Sequence, residues 1–145
     1  MSRILALDHG SRRVGVAIAE TETGLAFARP ALPRRSAQRD MEAVAGLVRE
    51  EGVELILIGL PLNMDGTEGR QTAAARAFGE RLAEIGPEVA YTDERLSSWQ
   101  AGQELQAAGR RPARRSGELD SAAARLFLQQ YLDDRRQPAA PKEAR

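Results

Sequence analysis

The spacing of apolar and polar residues divides the first third of the chain into strands. Residues 4–7 form a short apolar run, which is typical of a strand buried on both faces. After a turn, residues 14–19 form a second apolar segment, and residues 25–32 form a third, irregular one. Because the connections are short, these segments predict a three-stranded antiparallel meander. Pro30 lacks a backbone N–H, so the third strand is expected to lie at an edge of the sheet.

Beyond the meander, apolar residues at helical spacing alternate with buried strands. Four helices are predicted, between Ser36 and Gly52 and at residues 68–85, 97–108 and 118–132, with two more strands at residues 53–58 and 88–92. A helix separates the fourth strand from the meander, so this strand is expected to run parallel to the first. The sequence therefore predicts an α/β fold with a five-stranded mixed sheet, the antiparallel meander plus two parallel strands, and helices on both faces. We expect one domain over residues 1–136 and a disordered tail over residues 137–145.

Composition excludes several classes of protein. The chain has 145 residues, the size of one ordinary domain, and no cysteine, which excludes disulfides and thiolate metal sites. The apolar run near the start of the sequence is too short for a signal peptide, and no apolar run reaches the length of a membrane span. A soluble cytoplasmic protein that does not bind membranes is therefore expected.

The formal net charge is zero, but the basic residues are clustered. Lys142 is the only lysine, and arginines gather at residues 12–13, 34–39 and 110–115. Coding bias would explain the preference for arginine over lysine, but it would not explain the clustering. Since arginine contacts phosphate in a bidentate manner, the clusters indicate a local track for a nucleic acid backbone. The candidate nucleic-acid contacts are Arg12, Arg13, Asn63, Arg70, Arg95, Arg110, Arg111, Arg114 and Arg115; the alternatives are loop bracing for Asn63 and Arg70, and a solvated linker for the last four.

Three carboxylates are candidates for chemistry at one edge of the sheet. Asp8 ends the first strand, Glu94 follows the fifth, and Asp120 lies in the first turn of the last helix with its apolar neighbours facing inward. Converging carboxylates repel one another unless a cation neutralises them. With oxygen ligands alone, Mg²⁺ or Mn²⁺ is the natural choice. Two such ions, roughly 3.5–4 Å apart, would activate water and stabilise the leaving oxygen of a phosphodiester.

Each acid also has a purely structural interpretation. Asp8 can cap its own turn, Glu94 can pair with Arg95 or Arg70, and Asp120 can complement the helix dipole. From spacing alone, a catalytic set of three carboxylates is one hypothesis beside these.

Neighbouring residues leave further alternatives open. Asp93 competes with Glu94 for the inward position, since a change of strand register would exchange them. His9 is either a general base or a turn histidine near phosphate. Asp65 is expected to shape its turn. The loop at residues 59–69 precedes a helix and can offer backbone N–H groups to phosphate, although it lacks the Gly-Lys-Ser/Thr of a P-loop.

Four motifs in order resemble one known family. They are LDHGSRRVGVA at residues 7–17, GLPLNMDGT at residues 59–67, DERLSS at residues 93–98 and LDSAAARLFLQ at residues 119–129. Together they resemble the YqgF (RuvX-like) family of bacterial nucleases of the RNase H superfamily, over nearly the whole chain. The departures, Ser-Ser after Leu96 and histidine at position 9, do not touch the acids.

The resemblance implies a ribonuclease H-like fold in which Asp8, Glu94 and Asp120 bind metal and catalyse. It also implies a nuclease that matures the 5′ end of pre-16S ribosomal RNA, or a Holliday junction resolvase, which would need a homodimer to place two sites on paired strands. A non-catalytic RNA-binding factor for ribosome assembly is a further alternative. An ATP-binding fold of the actin and sugar-kinase type would need a second large domain, and this chain is too short for one.

Overall fold

The computed structural model describes residues 2–95, 97–109 and 118–136. The strands are β1 (Arg3–His9), β2 (Arg13–Glu20), β3 (Leu25–Pro33), β4 (Val53–Leu60) and β5 (Glu88–Asp93). The helices are α1 (Ala37–Glu51), α2 (Arg70–Leu82, followed by a short 3₁₀ turn), α3 (Ser97–Ala107) and α4 (Glu118–Arg136). Across these ranges no helix combines the length and apolar character needed to cross a membrane.

All five strands join one mixed sheet in the order β3-β2-β1-β4-β5. Strand β1 is antiparallel to β2 and parallel to β4, and β5 is parallel to β4. The predicted element order and sheet are therefore confirmed. Helix α4 continues one turn past the predicted end at residue 132, and the predicted tail lies outside the described residues.

Strand β3 forms the edge that Pro30 predicted, and a side chain from α4 protects it. The backbone N–H of Ala26 donates to Oε1 of Gln129 at 3.0 Å, and Nε2 of Gln129 donates to the carbonyl of Gly24 at 2.9 Å. Gln129 thus satisfies edge groups that would otherwise be open to another strand.

The two faces of the sheet differ in the size of their side chains. On the face covered by α1 and α2, large residues such as Leu5, Leu7 and Ile58 pack against Phe78 and other helical residues. On the face covered by α4, the sheet contributes mainly small residues, namely Ala6, Ala17, Ala19 and Ala26 beside Ile4 and Leu57. Small side chains let the backbone of α4 approach the strands closely.

The closest approach of α4 is at Gly15 on β2. A Cβ at this position would overlap the backbone carbonyl of Asp120, so only glycine fits. One residue further, the backbone N–H of Val16 donates to Oγ of Ser121 at 3.0 Å. The β2–β3 register shifts between Val14 and Val16, which leaves this N–H to the helix. The start of α4 is therefore fixed to β2 by one hydrogen bond and one steric constraint.

We expect Gly15→Ala to destabilise the fold by about 1–3 kcal/mol or more, because the added methyl group must displace α4. Gly46→Ala is the matched control, since a Cβ at Gly46 in α1 meets only a guanidinium nitrogen of Arg49, at 4.0 Å. In that helix, alanine should stabilise by about 0.5–1 kcal/mol. Urea unfolding followed by circular dichroism measures both. Equal stability of the two variants would contradict the close docking of α4.

Candidate active site

The three predicted acids approach one another at the carboxyl end of β1, on the α4 face of the sheet. Asp8 is 6% exposed and lies opposite Gly15 in the β1–β2 ladder. The backbone of Asp120 contacts Gly15, and Gly15 pairs with Asp8 in the β1–β2 ladder, so Asp120 lies close to Asp8. Asp120 itself is partly buried in the first turn of α4.

Glu94 reaches the same region from the end of β5. Its backbone N–H donates to the carbonyl of Leu60 at 3.1 Å, which fixes the turn to β4. A Cβ at Gly59 would overlap Oε1 of Glu94 and the ring of Phe127, so the absence of a side chain at Gly59 makes room for the carboxylate beneath α4. Oε1 of Glu94 is buried and, among the described residues, has no hydrogen-bond partner.

The electrostatics of these acids follow from burial and mutual repulsion. Burial, together with the charge of Asp120, raises the pKa of Asp8 from 3.8 to about 6 against the opposing effect of a hydrogen bond with Glu94. Burial, then the charge of Asp8 and the shared hydrogen bond, raise the pKa of Glu94 from 4.5 to about 10. Partial burial raises the pKa of Asp120, and the charge of Arg13 opposes that rise. Both shifts disfavour the simultaneous negative charge of Asp8 and Glu94.

A divalent cation fits the chemistry of this group of donors. The donors are all carboxylate oxygens, which suit Mg²⁺ or Mn²⁺, and one of them, Oε1 of Glu94, is buried without a partner. Within residues 2–95, 97–109 and 118–136, however, no group of three or more His, Asp or Glu side chains is arranged closely enough to hold an ion. The structure thus brings Asp8 and Glu94 together as a pair with Asp120 nearby, and metal binding by all three stays a prediction.

The register of β5 decides between Asp93 and Glu94. Asp93 points outward, where its carboxylate accepts from the backbone N–H of Arg95 at 2.8 Å and from its guanidinium at 2.9 Å. Glu94 is therefore the inward residue, and Arg95 pairs with Asp93 rather than with Glu94.

His9 lies on the other face of the sheet. It is the last residue of β1 rather than part of the turn, and its ring packs against Phe78 of α2 with 4.5 Å between centroids. Burial and the charge of Arg34 lower its pKa from 6.5 to about 4. His9 is therefore directed away from the carboxylates, which does not favour a role as their general base.

The loop after β4 is held by its own hydrogen bonds. Oδ1 of Asp65 accepts from the backbone N–H of Thr67 at 3.0 Å and from its hydroxyl at 2.6 Å, so the turn role expected for Asp65 is confirmed. Nδ2 of Asn63 donates to the Thr67 hydroxyl at 2.9 Å, and the Arg95 guanidinium donates to the carbonyl of Met64 at 3.1 Å. Asn63 and Arg95 thus brace this loop.

The remaining basic candidates differ in their relation to the acids. Arg13 is partly buried and close enough to Asp120 to affect its pKa. Arg12 and Arg70 are exposed, the latter at the start of α2. Arg110, Arg111, Arg114 and Arg115 lie outside the described residues. Phosphate contact by any of these arginines stays a prediction.

Sequence reasoning missed the residues that shape the site around the acids. Gly15 and Gly59 make room for Asp120 and Glu94, and Ser121 fixes the first turn of α4. For Gly15 the available signal was a glycine inside the second strand pattern, which indicates close approach of another group. The sequence predicts Gly59 in the loop after the fourth strand, whereas β4 extends to Leu60.

Comparison with known proteins places the chain in a family. The family described as "RuvX: Holliday junction resolvase" matches residues 2–134. Among similar relatives, proteins named as candidate pre-16S rRNA nucleases occur in Syntrophus aciditrophicus (43% identity over 144 residues, 98% of this chain and 95% of the relative) and in Chloroflexus aggregans (42% over 136 residues, 93% and 96%). A third, from Synechococcus sp., is 40% identical over 139 residues, 92% of this chain and 91% of the relative.

Solved structures with the same fold include two resolvases. Thermus thermophilus RuvC in complex with a Holliday junction substrate superposes with a TM-score of 0.58 at 12% identity, over 94% of this chain and 96% of that one. Fowlpox virus resolvase in complex with Holliday junction DNA gives 0.54 at 11% identity, over 93% and 99%. At these identities the likeness concerns the fold alone, and it agrees with the ribonuclease H-like fold expected from the motifs. With the family match extending from residue 2 to residue 134, this chain belongs to the RuvX family.

Proposed function

We propose that this chain is a metal-dependent nuclease that hydrolyses phosphodiester bonds of RNA and acts in the 5′-end maturation of pre-16S ribosomal RNA. Its relatives are named for that activity, and its acids lie where a ribonuclease H-like sheet presents groups to substrate. We expect it to act in the cytoplasm.

One observation supports the proposal most strongly. Oε1 of Glu94 is buried without a hydrogen-bond partner among the described residues, next to a second buried carboxylate, Asp8. Leaving a carboxylate oxygen unsatisfied is costly, so such an arrangement is unexpected in a purely structural core. A cation held between the two acids would remove both the repulsion and the unsatisfied oxygen.

Each acid has a proposed role. Asp8, between the other two, would contact both ions of a two-ion site, and Glu94 and Asp120 would each hold one. Bound Mg²⁺ or Mn²⁺ would activate the attacking water and stabilise the leaving oxygen. Hydrolysis would break the P–O3′ bond and leave a 5′-phosphate and a 3′-hydroxyl.

The substrate backbone would be positioned by arginines around the acids. Arg13 is close enough to Asp120 to affect its pKa, Arg12 precedes it in the chain, and Arg70 lies at the start of α2. Contacts to phosphate give affinity without sequence preference. The arginines at residues 110–115 would extend this track just before α4.

The family description supports a second candidate, cleavage of Holliday junctions. Symmetric cutting of a four-way junction needs two active sites related by a two-fold axis, and therefore a homodimer. The two functions share the acids and differ in substrate and oligomeric state. The cleavage assay that distinguishes these functions also tests structured and single-stranded DNA as substrates.

We expect Asp8→Asn to reduce cleavage of a 5′-extended pre-16S RNA by at least about a hundredfold, because loss of a metal ligand removes several kcal/mol of transition-state stabilisation. RNA binding should persist. Cleavage of labelled RNA and of a four-way DNA junction, in Mn²⁺ or EDTA, measures the effect, and filter binding measures retention.

The control is Asp133→Asn, an exposed aspartate on α4 whose oxygen accepts from Gln129 and would be kept by asparagine. It should cleave like the wild type. Full activity of Asp8→Asn would overturn the catalytic role of the acids, full activity of the wild type in EDTA would overturn metal dependence, and absence of cleavage by the wild type would overturn the nuclease proposal. Symmetric junction cutting with no RNA cleavage would favour the resolvase.

A second prediction concerns stability and pH in the metal-free protein. Both native pKa values are raised, so the folded state holds more protons than the unfolded state above pH 4, and the contribution of this pair to stability falls as pH rises. In EDTA, Asp8→Asn should therefore melt several degrees above the wild type at pH 8, and the difference should shrink towards pH 4.5. Differential scanning fluorimetry measures both.

Mn²⁺ provides the complementary test. It should raise the melting temperature of the wild type more at pH 8 than at pH 5, since protons compete for the carboxylates. It should leave Asp8→Asn nearly unchanged. An equal Mn²⁺ effect on the two proteins would mean that the ion binds elsewhere.

A further inference from the structure

A cleft lies beside the acids on the α4 face, between β5, α3 and α4. Its volume is about 560 Å³, within the range of small-molecule sites. Thr92 and Asp93 of β5 form one wall, and Gln130 and Asp134 of α4 form another. We refer to this space as the β5–α4 cleft.

The β5–α4 cleft and the acid site share a side chain. The ring of Phe127 lines the cleft, and the same ring lies with Oε1 of Glu94 against Gly59. Phe127 is only 3% exposed, so the strand and helix around it hold the ring in place. A group bound in the cleft would therefore be adjacent to the proposed scissile phosphate.

The charges of the cleft disfavour a phosphate as its occupant. Asp93 and Asp134 contribute two carboxylates to its lining, and Arg95 contributes one guanidinium that is already paired with Asp93 at 2.9 Å. A phosphate would meet net negative charge, which opposes binding. An uncharged group such as a nucleobase is therefore favoured over an anionic one.

The remaining lining has the features that bind a nucleobase. Gln100 and Gln130 each present an amide, which both donates and accepts hydrogen bonds and so can pair with the edge of a base. Phe127, almost fully buried, contributes a small apolar part of the floor, and Met64, 72% exposed on the braced loop, adds an apolar, polarisable side chain to the lining. Sequence-specific recognition of single-stranded RNA commonly uses hydrogen bonds to the edges of unpaired bases, which these two amides can supply.

We propose that the β5–α4 cleft receives one unpaired nucleobase of the substrate strand next to the cleaved phosphodiester. The proposal rests on the nuclease function proposed above and adds its substrate class, a strand that is single-stranded at the cut. Backbone contacts elsewhere supply affinity, and this base sets the position of the scissile phosphate against the acids.

The test uses the full chain and a single-stranded RNA whose cut site has been mapped. The same RNA is made with an abasic nucleotide on either side of the cut. For the wild type, one of the two abasic RNAs should be cleaved roughly tenfold less efficiently, as loss of the hydrogen bonds between the base and the two amides implies. The Gln100→Ala/Gln130→Ala double variant should cleave the intact RNA more slowly and discriminate against the abasic RNA less than twofold.

Gln103→Ala is the control, since Gln103 is exposed on α3 and does not line the cleft. It should keep the full discrimination. Binding of the intact and the abasic RNAs to Asp8→Asn is compared by fluorescence anisotropy, so that the dependence of binding on the base is measured without cleavage.

The outcomes separate the two proposals. Absence of metal-dependent RNA cleavage would count against the nuclease function, whereas base-dependent binding in the anisotropy assay would still support the cleft. Cleavage and binding that are indifferent to both abasic positions, or discrimination that survives in the double variant, would overturn the nucleobase pocket and leave the nuclease proposal intact.

Discussion

The burial of two carboxylates against each other is the constraint on which the rest of the site depends. Asp8 and Glu94 come from strands that are not neighbours, and their repulsion opposes the packing that brings them together. The fold must therefore hold them by contacts made elsewhere, through the β1–β4–β5 ladders and the Leu60 carbonyl that binds the Glu94 turn. The sheet stabilises the fold, and the repulsion between the two buried carboxylates offsets part of that stability.

The unequal faces of the sheet follow from the same constraint. Large aliphatic side chains on the α1 and α2 face supply most of the buried apolar area, which drives folding. The α4 face carries alanines and the glycines Gly15 and Gly59, because its helix must come close enough to place Asp120 and Phe127 beside the acids. The α1 and α2 face thus forms most of the stable core, and the α4 face lets the acids and Phe127 lie close together.

The periodicity of the sequence was sufficient for the elements and their order, because strand and helix patterns depend on local burial. It was not sufficient for the orientation of single side chains. Whether Asp93 or Glu94 points inward depends on the pairing of β5 with β4, and His9 faces α2 because successive residues of β1 alternate between faces. The pairing of Arg95 with Asp93 is a local turn contact, but the sequence did not decide it because several arginines were available to each acid.

The turn that ends β5 connects the acid pair with the β5–α4 cleft. Glu94 points inward to Asp8, whereas Asp93 and Arg95 on either side of it point outward and connect to the carbonyl of Met64. A displacement of this turn would move the carboxylate, the loop after β4 and one wall of the β5–α4 cleft together. Because the three residues are consecutive, the backbone transmits any shift of Asp93 or Arg95 to Glu94. The hydrogen bonds of this turn to the carbonyls of Leu60 and Met64 fix Glu94 even though β5 is an edge strand of the sheet.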